Sequence, residues 1–72
     1  TLATIGLRTL DPHDLTIGEA ILLGRADRVF HEPGVPPAIL DRARADADRI
    51  EAGAPPADQS EGLSIFIALP EE

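Results

Sequence analysis

Leu63-Ser64-Ile65-Phe66-Ile67-Ala68-Leu69 is the stretch on which the fold turns. Taken in alternation, Leu63, Ile65, Ile67 and Leu69 fall on one face, and Ser64, Phe66 and Ala68 on the other. A strand wet on one side would be polar at every second position, and this one is apolar almost throughout. Its β-branched and aromatic residues favour strand over helix, and a near-continuous apolar run implies burial on both faces. It is expected to be a central strand with the rest of the chain packed around it.

Working outward, Leu2 to Leu7 is a short strand candidate and Asp11-Pro12-His13-Asp14 is a loop. Thr16 and Glu19 have the spacing of a capping box, so a helix should begin there. Its inner stripe is expected to be Ile17, Ala20 and Ile21, broadened by Leu23, with its end near Gly24. Asp27 to His31 is a second strand candidate, closed by Pro33-Gly34. Pro36-Pro37 suits the first turn of a second helix, whose apolar stripe is Ile39, Leu40, Ala43 and Ala47. Its outer face carries Asp41, Arg42, Arg44, Asp46 and Asp48, with Arg42–Asp46 and Arg44–Asp48 at helical pairing distance. Arg49-Ile50-Glu51 is a brief third strand, and residues 54–62 form a polar internal linker.

This order predicts a small α/β domain with a three-to-four-stranded, mostly parallel sheet and two helices. Right-handed crossovers place both helices on one face of the sheet. The opposite face then needs a cover, and Leu63, Ile65, Phe66 and Ile67 are the residues expected at an interface. The occupant is either a second copy, as a homodimer, or other domains of a longer parent.

Seventy-two residues make one domain at most, and a chain of this size buries only ~60 % of its unfolded surface. Without cysteine there is neither a disulfide nor a thiolate metal site. Six Arg and thirteen acidic residues leave a net charge of −7, which disfavours nucleic acid. No apolar run reaches the ~20 residues of a membrane span, and no signal peptide opens the chain, so the expected location is the cytoplasm. The chain opens at Thr1 without Met, as a piece of something longer would, and Pro70-Glu71-Glu72 has the character of a natural C-terminus.

Asp11, His13 and Asp14 could be read as an acid/base or metal cluster, but Asp-Pro-x-Asp is ordinary loop chemistry. Two histidines without a third ligand make a poor metal site. Neither catalytic nor metal residues are assigned.

Ile5 to Thr16, followed by Ala26-Asp27-Arg28-Val29, resembles the opening of the tetrapyrrole methyltransferases, typified by uroporphyrinogen-III C-methyltransferase and the methylase part of siroheme synthase. Those begin with a strand, a glycine-rich turn ending Gly-Asp-Pro, then Leu-Leu-Thr and a helix ending Ala-Asp. Val35-Pro36-Pro37-Ala38-Ile39-Leu40 resembles the family's second helix start, and Asp46-Ala47-Asp48-Arg49-Ile50 the close of that helix. The likeness runs in register from Ile5 to about Gly53. Arg8 and Leu10 stand where the family has glycines, and the family's Gly-Gly-Asp-Pro loop, which helps bind S-adenosylmethionine, is replaced by Pro70-Glu71-Glu72.

The resemblance implies the first half of a methylase N-lobe, in a single truncated domain over residues 1–72, as the C-terminal piece of a siroheme-synthase-like protein. It implies a non-catalytic role in dimerisation or docking on a precorrin-2 dehydrogenase/sirohydrochlorin ferrochelatase part. It carries no cofactor of its own; S-adenosylmethionine belongs to an intact methylase and NAD to a fused dehydrogenase. Gly6, Arg8, Asp11 and Pro12 take the places of a ligand-binding turn, where Arg8 could meet a tetrapyrrole carboxylate or be an ordinary surface arginine. A tetrapyrrole-binding module and a fragment of an S-adenosylmethionine-dependent methyltransferase are the alternatives.

Overall fold

The computed structural model describes residues 2–57 and 62–70. Residues 58–61 of the expected linker, and Glu71 and Glu72 of the expected C-terminal motif, lie outside the described residues; Ala54 to Ala57 form neither helix nor strand. Four strands, β1 (Leu2–Gly6), β2 (Arg28–His31), β3 (Asp48–Glu51) and β4 (Ser64–Ala68), make one sheet in the order β1-β4-β2-β3. Every pairing is parallel. Helix α1 (Ile17–Arg25) joins β1 to β2, and the short α2 (Pro37–Leu40) precedes β3. The small, parallel α/β architecture expected from the element order is the one found.

The central position of β4 follows from its composition. Ser64, Ile65, Phe66 and Ile67 are all buried. Register places Ile65 beside Ala3 and Val29, and Phe66 beside Thr4 and Phe30. One face therefore carries Ile5, Val29, Ile65 and Ile67, which join Leu23 and Ala26 from α1 and its end, and Ile39 and Leu40 from α2. Both helices thus cover a single face, as right-handed crossovers require.

The interface residues expected from the sequence divide between the two faces because strand side chains alternate. Ile65 and Ile67 are fully buried under the helices with Leu63 packed against them, so an interface through these three would require the helices to leave. Phe66 points the other way and is 3 % exposed, so the centre of the far face is closed as well. There the Arg28 Nε donates to the buried Ser64 Oγ at 3.0 Å. Exposure on that face lies at the rim, at Thr4 and Ile50.

Helix α1 starts on the capping box read from the sequence. Thr16 Oγ1 accepts from the Glu19 N–H at 3.0 Å, and Glu19 Oε1 accepts from the Thr16 N–H at 2.8 Å. Its inner face differs from the expected one. Leu23 packs on the sheet as expected, but with Leu22 and Ala26 beside it, while Ile17 is 82 % exposed, Ile21 49 % exposed, and Ala20 also lies outside. Nearly every position of Ile-Gly-Glu-Ala-Ile-Leu-Leu-Gly-Arg is apolar or small, so periodicity alone does not fix its phase. Gly24 does not end the helix, which continues to Arg25 with Ala26 as an extended C-cap.

Helix α2 is shorter than its apolar stripe suggests. Pro37 occupies the first turn as expected, but the chain leaves the helix at Asp41. Beyond it the Arg42, Ala43 and Ala47 N–H groups donate to the carbonyls of Ile39, Leu40 and Arg44, three residues back. These successive tight turns still bury Ala43 and Ala47. The expected Arg42–Asp46 and Arg44–Asp48 pairs do not form, because their helical spacing is lost. Instead the Arg44 fork holds Asp46 at 2.9 Å and Asp27 at 3.3 Å, and Arg49 reaches Asp41 at 3.0 Å.

Two glycines take backbone shapes that a side chain resists. Gly34 has φ +99° in the turn Glu32-Pro33-Gly34-Val35, closed by the Val35 N–H donating to the Glu32 carbonyl. Gly62 has φ +73° just before β4, and a Cβ there would collide with the Asp27 carboxylate. That carboxylate accepts from the Leu63 N–H at 2.8 Å. At the other end of β4, Glu32 Oε1 accepts from the Leu69 N–H at 2.7 Å. Carboxylates on either side of β2 thus fix both ends of the central strand.

Candidate functional site at the carboxyl ends of the strands

In parallel α/β sheets, ligands sit in crevices outside the carboxyl ends of the strands. Here a shallow cleft of about 440 Å³ opens at that edge, between the ends of β1 and β4. It is lined by Gly6, Leu7, Arg8, Ala68, Leu69 and Pro70, and its volume is of the size that holds a small ligand. The pairing of β1 with β4 creates it. Gly6 lies beside Ala68, and the Leu7 N–H donates to the Ala68 carbonyl at 3.0 Å.

Arg8 is the charged residue of the lining, and it is already engaged. Its Nη2 donates to Glu19 Oε1 at 2.6 Å and to the Asp14 carbonyl at 2.9 Å; its Nη1 is 3.5 Å from Glu19 Oε2. The guanidinium therefore ties the segment after β1 to the first turn of α1. Glu19 closes the capping box with the oxygen that also meets Arg8. The Arg8 hydrogen bond, aided by the Thr16 N–H, holds the Glu19 carboxyl below its ordinary range; Arg8 is raised in turn, first by that same bond.

The rest of the loop folds on itself. Asp11 caps a 3-10 turn over Pro12–Asp14 and accepts from the His13 N–H at 2.9 Å, with the His13 Nδ1 at the same distance. The His13 backbone bond is the main reason the Asp11 carboxyl is lowered. Thr9 Oγ1 donates to Asp14 Oδ2 at 2.5 Å. His31 places Nδ1 3.2 Å from the Glu32 carbonyl.

Of the four ligand-binding residues expected, the structure brings Gly6 and Arg8 to the cleft and commits Asp11 and Pro12 to shaping the neighbouring turn. Ala68, Leu69 and Pro70 complete the lining and were not expected there. They arrive through strand pairing across more than half the chain, which no local motif announces. The hold of Glu32 on the Leu69 N–H depends on the same pairing. Among the described residues no three His, Asp or Glu side chains converge as a metal-ligand set, and no helix is long and apolar enough to cross a membrane.

Comparison with curated proteins finds two relatives of one kind. The siroheme synthase of Gluconacetobacter diazotrophicus is 39 % identical over 49 residues, and that of Nitrosomonas eutropha 47 % identical over 49 residues. The chain contains a siroheme-synthase-related segment. Each match covers 68 % of this chain and 10 % of the relative, so the chain spans about a tenth of the length of the curated relatives it matches. No family model and no solved structure matches.

Proposed function

We propose that this chain is a non-catalytic, methylase-like segment of a siroheme-synthase-like protein in tetrapyrrole biosynthesis, and that it serves dimerisation or docking. The observation that carries the proposal is the 49-residue similarity to two siroheme synthases. The parent in this reading is a precorrin-2 dehydrogenase/sirohydrochlorin ferrochelatase, and S-adenosylmethionine and NAD belong to the intact enzyme. Among the described residues the lining of the cleft offers backbone, apolar side chains and one arginine already paired with Glu19.

A second reading is favoured by one feature, the presence of Arg8 in the lining of that cleft. A tetrapyrrole carboxylate meeting the guanidinium would have to compete with Glu19. Anaerobic titration with sirohydrochlorin, followed by absorbance with and without S-adenosylmethionine, separates the two. An assembly segment gives no saturable change. Binding near micromolar, ~8 kcal/mol, that weakens in Arg8→Ala would replace the assembly reading with tetrapyrrole holding.

A further inference from the structure

We infer that the outward face of α1 pairs with the same face of a second copy, antiparallel about a two-fold axis between Ala20 and Ile21; this rests on the assembly role proposed above. An isolated surface helix keeps its outer face polar, yet α1 is apolar or small on both sides. Opposite the buried Leu23 lies a ridge of Ile17 and Ile21, four residues apart and both exposed. Beside it runs a second row at the same spacing, Ala20 and Gly24, which is exposed and low. A Cβ on Gly24 would meet nothing within 4 Å, so the space beside it is open.

Large and small rows at i,i+4 spacing form a ridge and a groove, the elements of the commonest helix packing. Antiparallel pairing makes them self-complementary. Ile17 of one copy lies over Gly24 of the other, and Ile21 over Ala20, and the two-fold repeats both contacts. Charge agrees with this direction. Arg25 ends the helix with no ion pair to any described residue, while the exposed Asp14 precedes its start. Antiparallel pairing brings the basic end of each copy toward the acidic start of the other, and opposes the two helix dipoles. A nine-residue helix spans only roughly 13 Å, so the contact is smaller than the ~800 Å² per partner of a standard interface. The dimer is accordingly weak.

Sedimentation equilibrium of the 72-residue chain from ~5 to ~500 µM tests this. The expected result is reversible dimerisation within that range. Ile17→Glu, which puts a carboxylate on the ridge, and Gly24→Leu, which fills the groove, should each weaken it at least ~10-fold at an unchanged helical signal. Arg25→Glu should weaken it less, and adding Asp14→Arg should restore it. A chain monomeric throughout, or a dimer indifferent to both Ile17→Glu and Gly24→Leu, overturns the inference. The latter outcome leaves assembly standing through another face, and the sirohydrochlorin titration tests the tetrapyrrole alternative independently of α1.

Discussion

Replacing Glu19 by Ala is the sharpest test of how the edge of the cleft is held together. The substitution removes the acceptor for the Thr16 N–H at 2.8 Å and the partner of the Arg8 guanidinium at 2.6 Å. The Glu19 side chain is 17 % exposed, so water replaces these bonds only in part. Loss of the capping-box acceptor and of a mostly covered carboxylate should cost about 1–2 kcal/mol. A domain of this length has a total of about 4–10 kcal/mol, so the effect is large. The thermal midpoint should fall by roughly 5–15 °C. With no Trp or Tyr in the chain, far-UV circular dichroism during urea and thermal unfolding is the suitable readout. Glu19→Gln keeps an oxygen for the Thr16 N–H and loses the charge, so it should cost less than half as much. An Ala variant within ~0.5 kcal/mol of the parent, the range of an indifferent surface site, would refute the reasoning. So would a Gln variant as damaging as Ala, since that would remove the cap from the account.

Acid should weaken the fold through the same group. Glu19 is held below its ordinary value, so its contribution is complete above the ordinary carboxylate pKa of ~4.3 and is lost as pH falls through the lowered folded value. Asp11 and Asp46, also lowered, add to that acid limb, and Glu19→Gln should flatten it in unfolding midpoints measured against pH. Leu23→Ala should cost ~2–5 kcal/mol because the side chain is fully buried, and Ile21→Ala, half in water, far less; reversed values in urea titrations would return α1 to the phase expected from the sequence. Gly62→Ala should destabilise by more than ~1 kcal/mol, since it meets both a left-handed backbone and the Asp27 carboxylate. Asp27→Ala in the same background should recover the steric part, and absence of any recovery would count against that collision.

Much of the architecture was legible because single residues spoke for it. The run from Leu63 to Leu69 had no wet face, so a central strand was its natural place, and Thr16 with Glu19 named the start of α1. The phase of that helix was not legible, because apolar residues surround it. Ile17 and Ile21 fit an inner stripe as well as Leu22 and Leu23 do, and only packing against the sheet decides. The second helix was overread for a related reason. Ala43 and Ala47 are buried, as a stripe through Ile39 and Leu40 implies, but tight turns deliver them there, and the Asp-rich segment carries its Arg partners at other spacings. At the cleft, Gly6 and Arg8 were visible as members of the turn after the first strand, Arg8 standing where the resembled family has a glycine. Leu69 and Pro70 were not, because their place depends on a strand pairing more than sixty residues long in sequence.

The strand order has a consequence in time. Of these four strands β4 is made last, yet it lies between β1 and β2, and β1 has no other strand beside it among the described residues. During synthesis, β2 and β3 can pair as soon as both have emerged, whereas β1 waits for β4, its partner in this sheet, until residues 64–68 leave the ribosome. Closing so long a loop before any of that pairing is rewarded makes the final insertion the slow event of folding. Until it occurs, two strand edges stand open at once, which is when this chain is most exposed to aggregation.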